Sequence, residues 1–422
     1  MTSVQSSSQT AEALPQATSD MSADELIGLA KFLGETRFAA RSAQYDQEAS
    51  FPTENYEDFR QTGLLALTIP KQHGGLGADF ETYCRFSAEL GRWCGATALT
   101  FNMHAQTMFW TGDMFDSLPV EDDVRHLQHQ RRAEIYRQVI EEGAIFAQPF
   151  SEPNSAAAAG KAPFGTTAKR VNGGWIVNGI KHFASLAGAA RYYSMVCTIE
   201  SDEGEARSRN AVYLCVPEAA DGFEIIGDWD PLGMRGTVSR GLKMTDVFVP
   251  DELELLSPGI YFKLASKWPH MFFTLSPTYM GLSQGAFDFT VAYLRGEVPG
   301  VHGTWRDIPT KQHAVARMRL MLEQSRALFE TTIAHAGYAP SRDQQMRAYA
   351  AQYTIMEHAQ EICALAMRTC GGRSLLKTFP LERMYRESRC GSLMLPWTAE
   401  IAEQRLGEES LYRKLPGDNQ SG

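Results

Sequence analysis

Residues Phe146–Phe183 read FAQPFSEPNSAAAAGKAPFGTTAKRVNGGWIVNGIKHF, and the fold turns on this stretch. An apolar run closes in Ser151-Glu152-Pro153, and a loop of small residues follows. Two segments of alternating polarity then flank Asn172-Gly173-Gly174. Asn-Gly and Gly-Gly pairs between alternating segments are the strongest short-range hairpin signal, because glycine supplies the positive φ that tight turns need. A β-region therefore opens in the middle of a chain whose two ends are patterned as helices.

Downstream of the hairpin, short β-type runs continue at Tyr192–Ile199, Ala211–Val216, Phe223–Ile226 and Leu242–Val249, after Gly165–Val171 and Trp175–Phe183. Gly, Pro and Asp separate them, a spacing that predicts an antiparallel barrel or sandwich. The charged stretch Ser201–Asn210 reads as a surface loop. Upstream, Ser22-Ala-Asp-Glu25 is a capping box that opens the apolar series Leu26, Ile27, Leu29, Phe32, Leu33. Asn55–Asp58 opens a second short helix, and Phe80–Met108 is apolar on most faces, which predicts one buried helix. Beyond Pro250, Thr310–Ala336 and Arg342–Cys370 carry apolar residues at helical spacing and form a helical hairpin across Pro340. Gly371-Gly372 stands where a helix terminator belongs. The predicted units are a disordered tail (1–21), a helical domain (22–143), a β-domain (144–250), a helical bundle (251–412) and a second tail (413–422).

Of the 422 residues, 44% are hydrophobic and 21% charged, an ordinary globular composition. The net charge of −10 argues against nucleic acid or an anionic membrane as partner, since both need clustered Lys and Arg. No apolar run is long enough to span a membrane. Seven scattered cysteines without a CxxC pair fit free thiols in a reducing compartment, and the ten histidines show no metal-ligand spacing. A cytoplasmic location without a metal is the expectation.

Single motifs have bland readings. Gly281-Leu-Ser283-Gln-Gly285 matches a nucleophile elbow, but that chemistry needs a strand, a sharp turn and a helix. Here the apolar pattern continues at helical spacing, so close packing of small residues is the favoured reading over a serine hydrolase acting through Ser283. Met234 and Met244 read as core filler.

Taken together and in order, the motifs say more. A Ser-Glu-Pro turn and Asn178-Gly179-x-Lys181 come first. Leu232-Gly-Met-Arg235-Gly-Thr and Asp246-Val-Phe-Val-Pro250 follow, then Cys370-Gly-Gly372 and Pro380-Leu-Glu-Arg-x-Tyr-Arg386. The set resembles the acyl-CoA dehydrogenase superfamily of flavoproteins across about residues 22–412. The resemblance implies an α+β fold: an N-terminal helical domain, a middle antiparallel β-domain and a C-terminal four-helix bundle. It also implies FAD shared between subunits of a homotetramer or homodimer, and an acyl thioester desaturated at its α,β bond. By resemblance, Phe150, Ser151, Phe183 and Ser185 flank the flavin ring. Gly371, Gly372 and Arg368 approach a neighbour's pyrophosphate, and Thr398 and Glu400 its adenosine half.

The chain departs from this pattern where the family carries its Glu base. Pro396 or Leu395 takes one usual location and Met271 the other. None of them accepts a proton, which leaves His270 as the local substitute base. The family's basic pyrophosphate partner falls near Glu297, with Arg295 close by, and Asn154–Ala159 replaces the usual substrate loop. Two alternatives follow: a flavin-dependent monooxygenase on the same scaffold, or a flavin- or acyl-CoA-binding protein without catalysis. The electron acceptor is left open.

Overall fold

The computed structural model describes residues 14–154, 163–200, 210–394 and 398–413. Part of each expected tail and loop lies outside them: residues 1–13 and 414–422, residues 155–162 of the small-residue loop, and residues 201–209. Leu395 and Pro396 lie outside them too.

The N-terminal part is helical: α1 (Ala23–Leu33), α2 (Ala39–Glu48), α3 (Thr53–Thr62), α4 (Phe80–Trp93), α5 (Gly95–Thr111), the short α6 (Asp113–Asp116) and α7 (Asp122–Glu142). The Ser22–Glu25 capping box has both of its reciprocal bonds. Order begins before the expected boundary, since Ala17 N–H donates to Thr62 O and Leu14, Ala17 and Met21 pack on the core. The single helix expected over Phe80–Met108 is instead two. Cys94 breaks it with an extended backbone (φ −147°, ψ 100°). Gly95 follows where any Cβ would press on the Glu387 carboxylate, so the redirected chain can pass close to the C-terminal part.

The β-region contains β1 (Phe146–Ala147), β2 (Thr167–Val171), β3 (Gly174–Ala184), β4 (Tyr192–Ile199), β5 (Ala211–Pro217), β6 (Phe223–Ile226), β7 (Arg240–Pro250) and β8 (Glu254–Leu256). They form one sheet in the order β6-β7-β3-β2-β4-β5-β8, with β1 on β4. The β2–β3 hairpin turns through Gly173 at φ +78°, as its glycine predicts. Most ladders are antiparallel, but β4 pairs in parallel with both β1 and β2. Those parallel pairs arise because the chain reaches β4 by crossing back over the sheet rather than through a tight hairpin.

The C-terminal part holds α8 (Ile260–Lys267), α9 (Ser276–Arg295), α10 (Pro309–Ala334), α11 (Arg342–Cys370), α12 (Leu381–Ser388) and α13 (Ala399–Tyr412). Helices α9, α10, α11 and α13 form the bundle, and α9 also packs on α4. That packing explains the small residues of α9. A Cβ at Gly281 would overlap Ala88 O, and one at Gly285 would overlap Arg92 O. Reciprocally, Gly91 on α4 lies against Thr278. One buried cluster runs through all three parts of the chain.

Candidate active site

Two irregularities in β3 shape the site. The first is a register shift between Val177 and Gly179 against β7. Asn178 Nδ2 donates to Asp246 Oδ1 (3.0 Å), and Asp246 N–H donates to Asn178 Oδ1 (2.8 Å). Gly179, at φ +146°, lies so close to Thr166 that a Cβ would reach 2.6 Å from its Cα. Lys181 points inward on the same face as the buried Trp175 and Val177. Its Nζ donates to Glu152 Oε1 (2.6 Å) and Val196 O (3.2 Å) and sits over the Phe164 ring. Glu152 also accepts the N–H groups of Gly165 and Thr166. Burial pushes the Glu152 carboxyl up, but Lys181 and these hydrogen bonds outweigh it and hold the group below its ordinary range.

The second shift falls between Lys181 and Ala184. Alternation would put Phe183 on the same face as Lys181. Phe183 instead takes φ +51°, and its side chain is 70% exposed. The neighbouring Ser185 is buried, with Oγ 2.8 Å from Ser239 Oγ. Phe150 packs edge-on against Phe164, and Ser151 O accepts the His182 N–H (2.8 Å). The Glu152–Lys181 pair and the Ser151–His182 bond thus tie the Phe150–Ser151 segment to the strand that carries Phe183 and Ser185.

The loop Leu232–Thr237 docks between the other two parts of the chain. Arg235 Nε donates to Asp46 O on α2 (2.7 Å). Arg386 on α12 forks onto the Asp46 carboxylate and donates to Leu232 O (3.0 Å). Beneath them Arg383 and Glu387 form a buried pair. Burial raises the Glu387 carboxyl, and Arg383, bonded to both of its oxygens, opposes that rise.

The remaining candidates lie on or beside the C-terminal helices. Gly371 caps α11 at φ +79°, Gly372 follows it, and a Cβ at either meets nothing in this chain. Arg368 is exposed one helical turn earlier. Thr398 occupies the cap position of α13, and Glu400 is exposed in its first turn. His270 is buried. Its ring lines a small cavity with Gln345, Tyr349 and Gln352, and none of Phe150, Ser151, Phe183 or Ser185 lines it. Burial holds the imidazole near a pKa of about 4, and Nδ1 has no hydrogen-bond partner. Met271 is buried beside it. Ser283 lies inside α9 at 2% exposure, with Oγ donating to Tyr279 O. There is no strand–turn–helix around it, so the serine hydrolase reading ends here.

Three family models match in order. They are the acyl-CoA dehydrogenase N-terminal domain over residues 25–114, the middle domain over 147–247 and the C-terminal domain over 272–407. The chain belongs to the acyl-CoA dehydrogenase family. Among curated relatives, the putative acyl-CoA dehydrogenase YdbM of Bacillus subtilis is 27% identical, covering 84% of this chain and 88% of that protein. The human mitochondrial short-chain specific acyl-CoA dehydrogenase is 26% identical over 86% and 84%. Two solved structures have the same fold. FMN-bound TdsC from Paenibacillus sp. A11-2 superposes with a TM-score of 0.79 at 20% identity, covering 93% of this chain and 98% of that one. Butyryl-CoA dehydrogenase from Megasphaera elsdenii gives 0.76 at 18%, covering 92% and 98%. Family membership accounts for the order of helices, sheet and helices.

Sequence reasoning missed Glu152 as the partner of Lys181, Ser239 as the partner of Ser185, and Thr237 as the next hydroxyl, bonded to Ser239. The Thr-x-Ser alternation just before β7 was the available signal for the last two.

Proposed function

We propose that this chain is a flavin-dependent oxidoreductase whose chemistry runs without a fixed carboxylate base, and that it transfers oxygen from O2 to a small organic substrate. The flavin half of the reading rests on Phe183. An aromatic ring held outward at a strained backbone, beside a buried hydroxyl, is an open apolar wall with one polar handle. Phe150, Ser151, Phe183 and Ser185 fit the ring of a flavin. Gly371 and Gly372, with Arg368, fit a pyrophosphate contributed by a neighbouring copy, and Thr398 and Glu400 fit the adenosine half. FAD rather than FMN, and a homodimer or homotetramer rather than a monomer, are what the family resemblance implies, and the unobstructed space at Gly371 and Gly372 leaves room for such a neighbour. A bound flavin supplies two-electron chemistry with either an organic substrate or O2.

The reaction half rests on the empty base positions. Met271, Leu395 and Pro396 take up no proton, and His270 lines a cavity against α11. Removal of an α-proton from a thioester needs a base in hydrogen-bond reach, whereas oxygen transfer by a flavin reduced beforehand by a partner reductase, with the second oxygen atom leaving as water, does not. TdsC is described as a dibenzothiophene monooxygenase, which agrees with this reading. α,β-Desaturation of an acyl thioester is the second reading, favoured by the curated relatives named above.

Anaerobic stopped-flow mixing of the flavin-loaded protein with short, branched and aromatic acyl-CoAs separates the two. The oxygenase reading expects no bleaching by any thioester, and rapid product formation when chemically reduced protein meets O2 and an aromatic substrate. Rapid bleaching by a thioester, followed by release of the enoyl product, would establish desaturation instead. Bleaching lost in His270→Ala would make that imidazole the base.

A further inference from the structure

Three hydroxyls stand in line behind the wall. Ser185 Oγ lies 2.8 Å from Ser239 Oγ, which lies 2.7 Å from Thr237 Oγ1. Thr237 Oγ1 is 2.8 Å from Met234 O. All three side chains belong to buried residues. Two backbone bonds clamp the line in place: Leu186 N–H donates to Thr237 O and Ala187 N–H to Val238 O. Around it, Phe183, Leu186, Met234 and Val238 all sit at positive φ. Such a backbone is costly for non-glycine residues, most of all for a β-branched valine, and strain of this kind gathers at functional sites.

A hydroxyl has one hydrogen to donate and two lone pairs to accept with. Three in line therefore have two arrangements in which every link is made. Pointing inward, Ser185 donates to Ser239, Ser239 to Thr237, and Thr237 to Met234 O. Ser185 then offers only lone pairs to the wall. Pointing outward, Thr237 donates to Ser239 and Ser239 to Ser185, which frees the Ser185 hydrogen for the wall. Met234 O is not orphaned by the change, because it also accepts the Thr237 N–H at 3.0 Å. The reversal leaves no buried donor or acceptor unpaired, so it escapes the usual penalty for such groups.

We propose that Ser239 and Thr237 are positioning residues that let Ser185 reverse its hydrogen-bonding sense with the redox state of the flavin. The proposal rests on the flavin reading above. N5 of an oxidised flavin is an acceptor, and N5 of a two-electron-reduced flavin carries a hydrogen and donates. The outward arrangement serves the first and the inward arrangement the second. No proton enters or leaves the line. The hydroxyl hydrogens rotate about their C–O bonds, while the two electrons come from the reductant, dithionite in the test below, and the N5 hydrogen from solvent water. A lone serine would serve the oxidised form equally well. In the reduced form its own hydrogen would be buried without an acceptor, so the line acts on the reduced state.

Ser239→Ala removes the inward acceptor and leaves the outward donor. The affinity for reduced flavin is expected to fall about tenfold relative to oxidised flavin, which lowers the two-electron midpoint potential by about 30 mV. Affinity for the oxidised form, read by fluorescence quenching, stays within about twofold. Thr237→Val shifts the potential in the same direction and Thr237→Ser restores it. The potential is measured by anaerobic reduction with dithionite against a reference dye. If Ser239→Ala does not fold, the Thr237→Val and Thr237→Ser pair carries the same test. An unchanged or raised potential in the variants, with flavin bound, overturns the relay alone. A wild-type protein that binds neither FAD nor FMN overturns the flavin reading, and the relay with it.

Discussion

Lys181 Nζ lies 2.6 Å from Glu152 Oε1 with both side chains closed off from solvent. Each charge is far from water, and each has further hydrogen bonds that make its burial tolerable. The pair joins the loop after β1 to the middle of β3, so it holds the wall in one geometry. Removing one partner strands the other. Lys181→Met is expected to cost about 3–5 kcal/mol, and the double variant with Glu152→Gln should recover part of that loss. Urea denaturation of the three proteins checks it, and a Lys181→Met midpoint equal to wild type would refute it.

Acid should weaken the fold before the carboxylates titrate. His104 is fully buried, with Nε2 on Leu65 O and Nδ1 accepting the Phe146 N–H. Burial drives its pKa down to about 4, against only partial opposition from the Leu65 bond. The unfolded chain takes up this proton below about pH 6.5 while the folded chain refuses it until about pH 4. Stability is therefore complete above pH 6.5 and falls as the pH drops through that window, by about 3 kcal/mol for this one imidazole. Denaturant midpoints taken across the window should show the slope, and His104→Gln should remove about half of it, because buried His270 carries the same shift.

Close approach of α9 and α4 makes Gly281 intolerant of any side chain. Gly281→Ala puts its Cβ onto the Ala88 carbonyl, a backbone atom that cannot rotate away. A loss of about 1–3 kcal/mol or more is expected. Ser283→Ala, two residues on, removes only a bond to its own helix and should change stability by less than about 1 kcal/mol. Thermal melts of both variants distinguish them. Equal melting temperatures would mean that the helices do not meet as described.

Gly372 has a different predicted signature. Nothing in its own chain meets a Cβ there, so Gly372→Val should leave the melting curve of the flavin-free protein nearly unchanged. If a neighbouring copy's flavin passes over it, flavin affinity should fall at least about tenfold, or about 1.4 kcal/mol. Flavin titration monitored by fluorescence, with light scattering for the assembly, reads both effects. Wild-type affinity in Gly372→Val would remove this glycine from the site.

Elements whose signals are local were legible in the sequence. Alternation marked the strands of the middle sheet, the Ser22–Glu25 box marked the start of α1, and Gly371 marked the end of α11. Composition and periodicity act over a few residues, and so do the forces behind them. The break at Cys94 was not legible, because an apolar run looks alike whether it is one helix or two. Parallel pairing of β4 was missed for a related reason, since pairing partners are set by the path of the chain between strands. Phe183 was nominated by resemblance, but its outward turn depends on a register shift against β7 that no local pattern records.

The sequence by itself determined the order of helices, sheet and helices and the family. These follow from residue identity and spacing alone. Tertiary structure decided which groups face each other: Lys181 with Glu152, Arg386 with Asp46, and Ser185 with Ser239. Those pairs join residues distant in the chain. Their partners are selected by the geometry of packing, by the cost of leaving buried polar groups unpaired, and by the bulge between Lys181 and Ala184 that re-aims the end of β3.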